Sequence, residues 1–165
     1  MFLECIEENV HGQALYGGAG FQKQTRLVGY ELANPSGVQA ALEEIAPREV
    51  ALASALNGES DLPFEFQFES LATLARPGRA YRLGAASCVI TDPEAEIVRI
   101  HALVVEKAAR RRGEATKLMR GLFHRHPDRQ WKLATGVPEG LAPSFFDALG
   151  FSRTAITQWH MIAEL

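Results

Sequence analysis

Apolar and acidic residues alternate through Phe2-Leu3-Glu4-Cys5-Ile6-Glu7, the two-residue period of a strand with one buried face. A short helix is expected over residues 10–19, stopped by Gly17, Gly18 and Gly20, and residues 21–32, rich in Thr, Leu, Val and Tyr, read as a long strand. The breakers Ala33-Asn34-Pro35-Ser36-Gly37 then mark a linker and a boundary. Beyond it, residues 38–46 and 47–56 predict two helices, the second opening on Pro47 and ended by Asn57-Gly58. Residues 63–68 alternate aromatic and polar, as a short strand or extended loop would, and residues 69–75 predict a helical turn or two before Pro77-Gly78. Strands follow at 80–83 and 85–91, bent at Gly84, and the turn Asp92-Pro93-Glu94-Ala95 leads into residues 97–105. That last run is apolar at nearly every position, the pattern expected of a central strand covered on both faces.

From Gly113 the period changes. Ala115, Leu118, Met119, Leu122 and Phe123 form one stripe of a helix, and Pro127 stops it. Residues 131–137 read as strand, 142–149 as helix and 152–162 as a closing strand. The order predicts an α/β fold, an α+β arrangement with a mixed sheet flanked by helices.

The chain has 165 residues, 47% hydrophobic and 22% charged, enough for a full core. A net charge of −3 does not suit a protein that coats nucleic acid, and no apolar run is long enough to span a membrane. Cys5 and Cys88 lie far apart without metal-ligand spacing, so a reducing cytoplasm is the expected location.

Candidate chemistry concentrates where the strand ending Leu103-Val104-Val105 runs through Glu106-Lys107-Ala108-Ala109-Arg110-Arg111-Arg112-Gly113-Glu114-Ala115-Thr116 into the amphipathic helix. The first N–H groups of a helix have no intrahelical partner and lie at the positive end of its dipole. A phosphate held there gains charge-assisted hydrogen bonds, and Gly113 lets the backbone approach it. Lys107, Arg110, Arg111, Arg112 and Lys117 add positive potential. The stretch predicts a pyrophosphate site.

Arg110-x-x-Gly113-x-Ala115 resembles the (Gln/Arg)-x-x-Gly-x-(Gly/Ala) signature of the GNAT superfamily of N-acetyltransferases, and Phe145-Phe146-Asp147-Ala148-Leu149-Gly150-Phe151 resembles that family's Leu-Tyr-x-x-x-Gly-Phe helix end. The resemblance implies a GNAT-type fold that binds acetyl-coenzyme A (acetyl-CoA). It implies that Leu103, Val104 and Val105 line the pantetheine arm. It also implies that Arg110, Arg111, Arg112, Gly113, Glu114, Ala115 and Thr116 cradle the phosphates, with Phe146 at the cleft. The implied reaction is direct transfer of an acetyl group to an amine of a small molecule or peptide. A non-catalytic acyl-CoA binding or dimerising module is the alternative. Phe146 stands where the family has a proton-donating Tyr, and Glu139 where it has Asn, which both favour the alternative.

Leu15-Tyr16-Gly17-Gly18-Ala19-Gly20-Phe21 repeats Phe145 to Phe151 at an offset of 130 residues, and the register continues to place Tyr30 opposite His160. Asn9 and Tyr16 keep the family's spacing, but no phosphate loop precedes them. By this resemblance residues 1–34 are the strand–helix–strand end of a preceding acetyltransferase domain, and residues 37–165 form the acyl-CoA binding domain. Such a remnant cannot bury its own apolar face, so it must dock on the rest of the chain or on a second copy, and a homodimer is expected. The catalytic residues stay open. His101, Glu106 and His160 are candidate bases; a packed or surface residue is the commoner use of a His such as His101, and Glu106 also serves to counter the arginines, while Cys88 suits a core and His124-x-His126 points two ways from one helix.

Overall fold

The computed structural model describes residues 1–57 and 76–164; the strand expected at 63–68 and the turn at 69–75 lie outside them. The elements are β1 (Phe2–Ile6), α1 (Val10–Gly18), β2 (Gln22–Leu32), β3 (Glu43–Ile45), α2 (Pro47–Asn57), β4 (Arg79–Leu83), β5 (Ala86–Ile90), β6 (Ile97–Val105), α3 (Glu114–Arg125), β7 (Gln130–Pro138), α4 (Pro143–Leu149) and β8 (Ser152–Ile162). The described strands form one sheet in the order β1-β8-β2-β7-β6-β5-β4-β3, and among them only β6 and β7 are parallel. No described helix is long and apolar enough to cross a membrane.

Residues 1–34 are woven into that sheet. β2 lies between β7 and β8, and β8 pairs with β1 on its other edge. The two repeats, β1-α1-β2 and β7-α4-β8, have therefore exchanged their closing strands: each first strand is paired by the last strand of the other. Their helices also end alike. Gly20 and Gly150 have φ of +92° and +85°, and the amides of Phe21 and Phe151 donate to the carbonyls of Tyr16 and Phe146, each at 3.0 Å. Glycine costs nothing at such angles and lets the chain turn back into the sheet.

The larger core lies under α3 and α4. Leu118, Met119, Leu122 and Phe123 of α3 pack there with Val28, Tyr30, Trp131, Leu133, Phe146 and Phe151. On the opposite face Val50 and Ala51 of α2 cover Ala80, Val89, Ala102 and Val104. α1 has no buried residue, and Val10 and Leu15 are 69% and 70% exposed.

Two expectations are corrected. Residues 38–46 are not a helix. Gly37 lies against the backbone of Phe123 and His124, Val38 N–H donates to the Arg120 carbonyl at 3.0 Å, and Ala40 and Leu42 lie over Gly121. Packing along α3 thus outweighs local helix propensity, and residues 43–45 pair with β4 as an edge strand. Residues 97–105 are covered on both faces only in part. Val98, Ile100, Ala102 and Val104 are buried, Ile97 and Arg99 are exposed, and Leu103 and Val105 are half-buried.

Candidate functional site

The half-burial of β6 comes from a bulge and a parting of strands. Ile90 pairs with Ile100 and Val89 with Ala102, so His101 is an extra residue in β6. The bulge resets the alternation. Val98 and Ile100 before it reach the α3 face, and so do Leu103 and Val105 after it, while Ala102 and Val104 turn to α2. β6 pairs with β7 only from Ile97–Gln130 to Arg99–Lys132. Beyond that, β6 stays with β5, and β7 stays with β2 through Leu133, Val137 and Pro138. The two parallel strands leave their facing edges unpaired, and that gap leads toward the start of α3.

At that end β6 passes through a 3-10 turn, Lys107–Ala109, before the helix. Arg111 and Gly113 have φ of +66° and +78°, and no side chain caps α3 at Gly113. Among the described residues no acceptor takes the backbone N–H of Arg112, Gly113, Glu114, Ala115 or Thr116. Nothing lies within 4 Å of where a Cβ on Gly113 would sit. Arg111, Arg112 and Lys117 are exposed beside these amides. The geometry fits an anion, because several donors and the positive helix end meet open space.

Two residues of the stretch are otherwise engaged. Arg110 N–H donates to the Lys107 carbonyl at 3.4 Å, and its guanidinium reaches the carbonyls of Val105 and Asn57, tying the loop to the end of α2. The Glu114 carboxylate accepts from Ala85 N–H at 2.6 Å, which anchors the β4–β5 turn to the first turn of α3.

Phe146 is buried in the middle of α4, with its ring stacked on Tyr30 at a centroid distance of 3.9 Å and 15° between planes. Nothing in the linear order placed Tyr30 against Phe146, since Tyr30 reaches it from the exchanged strand β2. Glu139 accepts from Arg26 at 3.3 Å and Arg153 at 2.6 Å, so it braces β2 and β8. Arg26 also pairs with Glu7 at 2.7 Å, and the Thr157 hydroxyl and Arg26 hold that carboxyl below the usual range.

The other candidates are scattered. His101 sits at the bulge, half-buried, and burial together with the Arg99 charge lowers its pKa. His160 is buried against Phe2 on the far side of β2, and Glu106 is exposed. His124 is exposed, whereas His126 meets the Tyr81 hydroxyl at 3.2 Å, and no metal-binding cluster exists among the described residues. Cys88 is fully buried, and burial pushes its thiol far up.

No protein-family model matches the chain, and no curated protein sequence does. Solved structures do. A GCN5-related N-acetyltransferase from Kribbella flavida matches at a TM-score of 0.64 and 16% identity, over 99% of this chain and 68% of that one. One from Sphaerobacter thermophilus matches at 0.64 and 13%, over 99% and 60%. One from Anabaena variabilis matches at 0.63 and 13%, over 97% and 45%. The chain has the GNAT fold, spanning between 45% and 68% of the length of these three neighbours.

Proposed function

We propose that the protein is an acyl-CoA-dependent N-acyltransferase that moves an acetyl group from acetyl-CoA to an amine of a small molecule or peptide. The observation that carries this reading is the run of amides from Arg112 to Thr116 that no acceptor takes among the described residues, placed where β6 and β7 part. In it Arg111, Arg112, Gly113, Ala115 and Thr116 hold the pyrophosphate, while Leu103, Val104 and Val105 follow the pantetheine arm. Arg110 and Glu114 shape the loop through Asn57 and Ala85. Acetyl-CoA supplies an activated thioester; the chain's part is to anchor it, orient it and exclude water.

Thermal shift and calorimetry with coenzyme A, followed by thiol release from acetyl-CoA over a panel of amines, test the reading. Binding and turnover are expected; absence of coenzyme A binding removes it. Phe146 in place of a hydroxyl-bearing residue favours a second reading, a module that binds acyl-CoA without transfer. Binding without turnover across the panel would select that one.

The repeat and its matching helix ends support residues 1–34 as the end of a preceding acetyltransferase domain, with residues 37–165 as the acyl-CoA binding domain. The uncovered α1, with Val10 and Leu15 exposed, supports a homodimer through that face. Light scattering of the wild type and of Leu15→Glu tests it. Two free cysteines suit a cytoplasmic setting.

A further inference from the structure

The two edges of the described sheet, β3 and β1, are finished differently. β3 has three residues, and its Glu43 and Glu44 are paired with Arg82 and Arg79 of β4. A short edge covered with charge resists further pairing. β1 is longer and carries apolar residues on its open side. The amide of Glu7 donates to the Thr157 carbonyl and that of Ala163 to the Met1 carbonyl, both at 2.9 Å. Hydrogen-bonded pairs recur at every second residue of an antiparallel ladder, so Leu3 and Cys5 make the remaining bonds to β8. Phe2, Glu4 and Ile6 therefore turn their backbone groups outward. The N–H and C=O of Phe2 and Glu4 and the N–H of Ile6 have no partner among the described residues. The repeat shows what such an edge accommodates. β7 has β2 on one side and β6 on the other, whereas β1 has β8 on one side and no described strand on the other. The place that β6 fills in one repeat is open in its counterpart.

We propose that the outer edge of β1 takes up an extended segment of another protein, one with a lysine or arginine between two apolar residues at alternate positions. Phe2, Glu4 and Ile6 share one face of the strand. Phe2 and Ile6 are 46% and 45% exposed, and Glu4 between them is exposed too, so the edge reads apolar–acidic–apolar. Residues opposite each other on paired strands have Cβ atoms about 5 Å apart. A basic residue opposite Glu4 meets its charge, and apolar residues two positions to either side cover Phe2 and Ile6. A second copy of the chain fits this edge poorly. Antiparallel self-pairing in full register sets Phe2 against Ile6 but Glu4 against Glu4, and like charges directly opposed destabilise a strand pair. Sliding by two residues sets the carboxylate against Phe2 or Ile6 and loses one opposed pair.

Neither the edge nor its test depends on coenzyme A. The full chain is titrated with two acetylated and amidated peptides, Thr-Val-Thr-Lys-Thr-Val-Thr and the same peptide with Glu in place of Lys. Calorimetry reads affinity, and amide hydrogen exchange reads the place of binding. The lysine peptide is expected to bind about fivefold more tightly than the glutamate peptide and to protect the amides of Phe2, Glu4 and Ile6. Glu4→Lys, a change at an exposed position, is expected to reverse the preference. Absence of binding by the lysine peptide, equal binding of the two, or protection confined to other amides overturns the proposal. So does a preference for lysine that survives Glu4→Lys. Protection of the same three amides that rises with protein concentration in the absence of peptide assigns the edge to a second copy, and overturns it as well.

Discussion

A Cβ on Gly37 would fall 2.2 Å from the backbone nitrogen of His124, so the segment leaving β2 touches the backbone of α3 directly. The contact starts the path of residues 37–42 along that helix. It continues through Val38 N–H to the Arg120 carbonyl and through Ala40 and Leu42 over Gly121. Two glycines, one on each partner, make the approach possible.

Gly37→Ala is therefore expected to destabilise the fold by about 2–3 kcal/mol or more, because backbone on both sides must move apart. Gly121→Ala, whose Cβ would meet the Ala40 Cβ at 2.8 Å and Leu42 at 3.1 Å, is expected to cost less, since the overlap is smaller than the 2.2 Å approach at Gly37 and the Leu42 side chain can turn aside. Urea unfolding of the two variants checks both the sign and the order.

Charge reversal at Arg111 and Arg112, which are exposed beside the free amides, is expected to weaken coenzyme A binding about tenfold or more, with a strong salt dependence. Stability should hardly change. Arg110→Ala should instead lower the melting temperature, because its guanidinium joins the loop to Asn57 and Val105. Equal effects of the two changes on binding and melting would contradict this division of labour.

His126 and His101 are held below the ordinary histidine value of 6.5, in both cases chiefly by burial and next by a neighbouring arginine. The fold thus prefers the neutral rings, and the unfolded chain takes up protons first as pH falls. Their contribution is present above 6.5 and is lost below it, down to the lower folded values. Wild type is expected to lose melting temperature between about pH 7 and 5, and His126→Gln to flatten that slope. Glu7 and Glu49, lowered from 4.5 by hydrogen bonds first, contribute above that value and lose it in stronger acid, a separate window.

Cys88 is fully buried with its thiol pushed far up, and Cys5 is buried too. Neither is expected to react with a maleimide at neutral pH while the chain is folded, and both should react in denaturant. Rapid labelling of the native protein would show that the sheet opens at β1 or β5.

Much of the fold was legible along the chain. The stripe Leu118, Met119, Leu122 and Phe123 sits in the core as its spacing requires, and the strands at 2–6, 22–32 and 130–138 follow their local patterns. The arginine–glycine turn marked the start of α3, because the left-handed Gly113 and the helix it precedes are neighbours in the chain. Side-chain period and turn chemistry are local, and a single sequence records them.

What only the tertiary structure decided involves residues distant in the chain. The helix expected over 38–46 gave way to contact with Gly121 and α3. The bulge at His101 depends on register against β5. The exchange of β2 and β8, which sets Tyr30 on Phe146, depends on which of two similar strands pairs β7. Pattern fixes which face of a strand is apolar, but two strands of the same pattern are interchangeable until packing chooses between them.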